Sequence, residues 1–308
     1  MGLNNRNIVL ACLVAAMLSG CSFKRIAVNK LGDALAAAGT TFSSDDDPEL
    51  IKAAVPFSLK LMESLLAESP KHQGLLFATS SGFTQYAYAF VQQEADEIED
   101  KDLDAANQMR LRARKLYLRA KSYGLRGLES RHAGFAQRLG ENSSAAVGVA
   151  GKSDVAQLYW TAVSWTAAIA LSKDDPALIG EIPVAQALID RALELDESFD
   201  HGVIHGFLVS YEMSRQGDAA NNEARSRAHF ARAVELSQGQ LAGPYVALAE
   251  AVSVQKQNIT EFKQLLERAL AVNPDSRPEW RLVNLVMQRR ARWLLSRTDD
   301  LFLKKENS

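Results

Sequence analysis

The chain has 308 residues, with 35 basic and 37 acidic side chains, a formal charge of −2 and 47% apolar content. That balance disfavours nucleic-acid binding, which rests on a basic footprint, and it supplies enough apolar material for a large core or an extended array of small ones. Cysteines occur at positions 12 and 21 alone, so no disulfide framework is expected.

The first twenty residues carry a single charged side chain, Arg6, followed by an apolar run from Ile8 to Leu18 that stops at small residues. This is the layout of a secretory signal. The run is too short for a permanent span, which needs roughly 20 apolar residues across a core of about 30 Å. Leu18-Ser19-Gly20-Cys21 resembles the bacterial lipobox, in which the Cys is acylated and becomes the first mature residue. Cys12 lies inside the signal, so the mature chain keeps one cysteine, Cys21, as the lipidation site. Each buried acyl CH₂ contributes about 0.8 kcal/mol of membrane affinity, and one chain anchors only marginally; the three that this motif implies would anchor permanently. Ser22, where an Asp would signal inner-membrane retention, points to the periplasmic face of the outer membrane. Loss of Arg6 leaves 34 basic against 37 acidic residues, a net −3.

Residues 21–45 read as a lipidated tether, with a short helix near Ala34–Ala38, and 46–300 as one helical repeat domain ahead of a tail at 301–308. Asp45-Asp46-Asp47-Pro48-Glu49 opens the domain with a carboxylate cap, a proline suited to the first helical position and acid at the positive end of the dipole. From there apolar residues recur at spacings of three and four, alanine is abundant, and sustained β-branched alternation is missing. The expectation is an all-α fold with helices over 48–68, 72–95, 103–122, 124–138, 153–172, 182–195, 199–216, 222–237, 241–256, 259–272 and 278–296. Gly140 to Lys152, rich in Gly, Ser and Ala, is expected to be a mobile internal loop.

The helices repeat. Arg191-Ala192-Leu193-Glu194-Leu195, Arg232-Ala233-Val234-Glu235-Leu236 and Arg268-Ala269-Leu270-Ala271-Val272 are one phrase at intervals of 41 and 36, and Arg119-Ala120-Lys121 is a looser copy 72 residues upstream. These periods are close to the helix-turn-helix unit of tetratricopeptide repeats. At the last copy Ala269 is followed five residues later by Pro274, where such a unit ends; Ala192 and Ala233 lack that proline. Tyr245, Leu248, Ala249 and Val252, like Phe262, Leu265, Leu266 and Ala269, form one-sided stripes, bounded by Gly243-Pro244 and Asn273-Pro274. A helix pair of this kind cannot bury its stripe alone and must stack on its neighbours.

No motif points to catalysis. Gly148-Val149-Ala150-Gly151-Lys152-Ser153 falls short of a phosphate loop, because the required earlier glycine is Ala146 and no strand precedes it. His201 and His205 are spaced to share a helix face, without the Glu or third ligand a zinc site needs. In Leu158-Tyr159-Trp160-Thr161-Ala162-Val163-Ser164-Trp165 the two indoles stand about 140° apart on a helix. Either both are packing residues, or one faces a cavity and offers a large apolar surface with one donor. No nucleophile with its base and no cofactor fingerprint is present, so a non-catalytic binding role without cofactor or metal is favoured.

The lipobox, Leu158-Tyr159-Trp160 with Trp165, the repeated phrases, Gly243-Pro244-Tyr245-Val246, Leu282-Val283-Asn284-Leu285 and Arg290-Ala291-Arg292-Trp293-Leu294-Leu295 occur in one order along residues 20 to 297. Together they resemble the TRAP transporter T-component lipoproteins, known as TatT. The resemblance implies a periplasmic, tetratricopeptide-like homotrimer with pores or clefts, held to the membrane by its lipid alone. It would work beside a TRAP-type solute-binding protein in the uptake of small organic acids and help to present ligands, hydrophobic ones among them. On this chain the candidates for the cleft are Tyr159, Trp160, Trp165 and His205, with Asn284 and Arg290 as polar contributors. The competing reading is an outer-membrane assembly scaffold, and a hydrolase hidden in a helical fold is the third.

Overall fold

The computed structural model describes residues 27–37, 39–216 and 219–303; the signal, Cys21 and Ser22 lie outside the described residues. The fold is all-α, with no strand among the described residues. The helices are α1 (27–37), α2 (Gly39–Ser43), α3 (Pro48–Glu68), α4 (Gln73–Ala87), α5 (Gln93–Ile98), α6 (Leu103–Arg131), α7 (Phe135–Glu141), α8 (Ser143–Val147) and α9 (Val155–Ala170), then α10 (Pro176–Ile179), α11 (Ile182–Leu195), α12 (Phe199–Ser214), α13 (Asn222–Leu236), α14 (Gly243–Leu248), α15 (Ile259–Ala271), α16 (Arg281–Ser296) and α17 (Thr298–Leu301). None is long and apolar enough to cross a membrane.

Local chemistry explains most boundaries. Asp47 Oδ1 accepts from the Glu49 and Leu50 amides at 3.0 Å, capping α3 ahead of Pro48. Asn258 caps α15 in the same way, and Asn273 Oδ1 accepts from the Asp275 amide in the turn that follows it. Segment 27–37, expected within the tether, is helical and docked: Val28 and Leu35 pack on Met62, Leu65, Leu66, Leu75 and Leu76.

Three expectations are corrected. The break expected between the helices over 103–122 and 124–138 is absent and falls later: α6 runs on to Arg131, because Gly124 and Gly127 are buried where α6 crosses α9 and the missing side chains let the two backbones meet, and 135–138 belong to α7. The chain turns only at Gly134, whose φ of 75° suits glycine. The stretch 140–152 is not a mobile loop: it forms α8, and Ala146, Val147 and Ala150 are buried in the main core. The helices expected over 72–95 and 241–256 each contain a wide π turn, Tyr88–Gln92 and Ala249–Ser253, a local widening that recurs at functional positions.

The helices form two interleaved sets. One set runs α4, α9, α12, α14, α16, each touching the next; the other, α3, α6, α11, α13 and α15, packs against it, with α6 between α4 and α9, α11 on α9, α13 on α12 and α15 between α14 and α16. The alanines of the repeated phrase sit at these crossings: Ala120, Ala192, Ala233 and Ala269 are each at most 1% exposed. A side chain no larger than a methyl lets neighbouring backbones approach, and this accounts for the repeat.

The array also closes on itself. On α16 and just beyond it, Arg289 pairs with Glu97, Arg290 with Asp96, and Arg297 with Asp100, while Arg281 donates to the Ser44 carbonyl. Partners 192 to 197 residues apart thus bring the last helices back to the first.

Candidate ligand site

The apolar helix α9 presents Tyr159 toward α12, with Trp160 beside it. Tyr159 is buried and makes edge contacts with Trp160 (ring centroids 5.0 Å apart) and with Phe207 (6.4 Å), and a tilted contact with Phe199 at 6.1 Å. Phe207 in turn stacks on Tyr211 at 5.5 Å, one helical turn further along α12. Trp160, Phe199 and Phe207 are half-buried, so the row has a face toward solvent as well as one on the core. These offset and edge-on arrangements are the favourable ones for aromatic quadrupoles.

A backbone break sets this geometry. Asp200, His201 and Gly202 have φ of 43°, 54° and 88°, so the regular part of α12 begins only after them. Two successive non-glycine residues in the left-handed region cost about 1–3 kcal/mol each, and such strain concentrates at functional positions. Gly202 is required for a second reason: a Cβ there would lie 3.0 Å from Leu236 Cβ and 3.5 Å from Ala233 Cα, where α12 meets α13. The break turns Phe199 back over Tyr159. It also removes His201 from the helix face it was expected to share with His205, and its ring instead meets Trp280 edge-on at 4.9 Å.

Electrostatically the row is neutral. Burial pushes the Tyr159 phenol far above its ordinary range and raises Tyr211 to about 12. The Tyr211 hydroxyl is buried and has no hydrogen-bond partner among the described residues, a donor that costs free energy until something accepts from it. Burial also raises the Asp200 carboxyl, against a smaller opposing effect of His201. Aromatic faces with neutral phenols suit an apolar body that carries an acceptor for the phenol proton.

The other candidates hold separate partners. Trp165 is buried, its Nε1 donates to Glu181 Oε2 at 2.6 Å, and Lys121 Nζ lies 3.6 Å from the ring centre. His205 shares a hydrogen bond with His229, Nδ1 to Nδ1 at 2.8 Å. Asn284 accepts from the Ala242 amide at 2.9 Å and donates to the Gln240 carbonyl at 3.0 Å, bracketing the turn before α14. Arg290 is held by Asp96 and Glu250 over the Trp293 ring. Of the six, only Tyr159 and Trp160 meet each other in a ring contact. Phe199, Phe207 and Tyr211 were not singled out from the sequence, although the i, i+4 spacing of Phe207 and Tyr211 was a readable signal. Among the described residues no group of three or more His, Cys, Asp or Glu could hold a metal ion.

Two comparisons place the molecule. A protein of Treponema pallidum (strain Nichols), named only as uncharacterized, is 31% identical over 315 residues, covering 95% of both chains. The family model described as TRAP transporter T-component matches residues 44–302, the whole span from the cap of α3 to the end of α17. The chain therefore belongs to the TRAP transporter T-component family, an accessory component of TRAP transport.

Proposed function

We propose that this protein is a non-catalytic lipoprotein, anchored through Cys21 at the periplasmic face of the outer membrane. In this reading it assembles as a tetratricopeptide-like homotrimer, binds a TRAP-type solute-binding protein and relays a small ligand with an apolar body. The observation that carries the ligand reading is the row Trp160–Tyr159–Phe207–Tyr211, half open to solvent and ending on a buried hydroxyl with no partner among the described residues. Family membership supports the transport setting, and Leu18-Ser19-Gly20-Cys21 supports the anchor.

The test is native mass spectrometry of the Cys21→Ala protein, exported through a cleavable signal and taken from a periplasmic extract. A trimer carrying a solute-binding protein or a small ligand is expected. Replacing Trp160 by Leu or Phe207 by Ala should reduce ligand occupancy about tenfold, the scale of one lost aromatic contact in a partly desolvated site. A bare monomer would overturn the quaternary and partner claims and favour an assembly scaffold; unchanged occupancy in both variants would sink the aromatic row.

A further inference from the structure

The tryptophans of this chain differ in what lies over their rings. Lys121 Nζ stands 3.6 Å from the ring centre of Trp165, Arg277 Cζ 4.5 Å from that of Trp280, and Arg290 Cζ 4.2 Å from that of Trp293. Trp160 has no protein cation over it among the described residues. Neither have Tyr159, Phe199 and Phe207, the rings with which it forms the aromatic row. The negative face of an aromatic ring attracts a cation, and tryptophan does so most strongly. Elsewhere in the molecule the protein meets that demand itself; at Trp160, Phe199 and Phe207, all half-buried, it does not.

A carboxylate stands at the same end of the row. Asp200 follows Phe199 directly and is exposed. It accepts no hydrogen bond and makes no ion pair among the described residues. An Asp at a helix start ordinarily accepts from the first amides, on an extended backbone; the left-handed φ of 43° at Asp200 is not that conformation. Its charge acts on the Tyr159 phenol, which places it beside the row. At the carboxyl itself His201 is the group that opposes burial, and the His201 ring is engaged edge-on with Trp280. Rings without a cation and a carboxylate without a cation thus meet where the backbone is strained.

We propose that this end of the row binds an alkyl-substituted ammonium group, with its alkyl substituents against Trp160, Phe199 and Phe207 and its positive charge opposite the Asp200 carboxylate. Aromatic faces beside an anion recognise quaternary ammonium. Alkyl substitution suits these rings because it replaces N–H donors that apolar faces could not satisfy. An organic acid is disfavoured here, since Asp200 would repel its carboxylate. The Tyr211 hydroxyl, at the other end of the row, still takes an acceptor on the same ligand. This inference rests on the row being the ligand site and adds the sign of the ligand's charge.

The test is equilibrium dialysis of the Cys21→Ala protein against phenyltrimethylammonium, against tert-butylbenzene, which has the same shape with carbon in place of the charged nitrogen, and against benzoate. The ammonium is expected to bind about tenfold more tightly than its neutral isostere. Asp200→Asn keeps the side-chain shape and suits positive φ equally well. It should cost the ammonium about tenfold and leave tert-butylbenzene unchanged, the second result showing that the site is intact. Trp160→Leu should weaken both. Equal affinity for the two probes, tighter binding of benzoate, or an Asp200→Asn effect that is absent or common to both probes would overturn the cation while the row stands. Binding of neither probe, or a Trp160→Leu variant that binds both unchanged, would overturn the row as ligand site and this inference with it.

Discussion

At Gly124 a single methyl group decides whether two helices can cross. A Cβ there would overlap Thr161 Oγ1 and lie 3.1 Å from Ser80 Oγ, and at Gly127 it would stand 2.5 Å from the Gln157 Cδ. Overpacking of this kind costs about 1–3 kcal/mol, more than the gain of up to about 1 kcal/mol from replacing glycine in a helix, so Gly124→Ala should lower the urea midpoint. Gly140, in α7, has nothing within 4 Å of its Cβ position; Gly140→Ala should therefore raise the midpoint, by about 0.5 kcal/mol in stability. Opposite signs for one chemical change would show that contact, not propensity, governs α6.

The His205–His229 pair makes a second residue-scale prediction. Burial holds both imidazoles below their ordinary value, His229 at about 4, with the neighbouring His205 adding to the effect. Glu197, 3.4 Å from His205 Nε2, opposes burial without overcoming it. Both groups are thus neutral in the fold and bind protons more readily when unfolded. Their contribution is full above the unfolded value near 6.5 and is lost as pH falls through it toward about 4. Urea midpoints measured from pH 7 to 4 should fall, and His229→Leu should flatten that fall.

At the scale of elements, the π turns and the arginines of α16 act together. Tyr88 sits on the first π turn and Glu250 on the second, and Arg290 lies between Asp96 and Glu250. Removing a nearly buried cation strands its carboxylates, but Asp96 keeps Arg110 at 3.0 Å and the Glu250 side chain is 38% exposed. Arg290→Met should therefore cost about 2–3 kcal/mol, below the range for a fully buried pair. Arg297→Met, which breaks a pair whose Asp100 is 59% exposed, should cost under about 1 kcal/mol. Thermal unfolding of the two variants checks the ordering; equal losses would mean that burial does not set the strength of this clasp.

At the scale of the molecule, closure changes how the array unfolds. An open stack of repeats behaves as a chain of neighbours that can lose units from one end. Here the last helices are tied to the first by Arg289–Glu97, Arg290–Asp96 and Arg297–Asp100. Deleting residues 281–308 should strip those carboxylates of their arginines from 289–297, leaving Asp96 with Arg110 alone, and uncover the α15 face that carries Ala269. The full chain is expected to unfold in one transition by fluorescence and circular dichroism, the truncated chain in two that do not coincide. Raised salt should narrow that difference, because exposed pairs are screened within about 10 Å at 0.1 M.

Much of this was legible in the sequence because it is local. The all-α fold, the cap at Asp47, the helix over 182–195 and the stripe Phe262, Leu265, Leu266 and Ala269 follow from period, cap chemistry and propensity within a few residues. The repeated alanines and the ordered family phrases were equally readable. Other features depend on residues far apart in the chain. The left-handed break at Asp200–Gly202 exists because α12 must approach Ala233, so the expected His201–His205 face never forms. The unbroken α6 reflects what α9 presents opposite Gly124, and the buried stretch 140–152 reflects a core that its small side chains help to fill. Likewise the acidic residues from Glu94 to Asp100 and the arginines of α16 are far apart in the sequence, and only the tertiary fold made them partners. Sequence by itself determined the helices and the spacing of their contacts, because those are short-range; tertiary structure decided which surfaces meet, because those contacts join residues 192 to 197 apart in the chain.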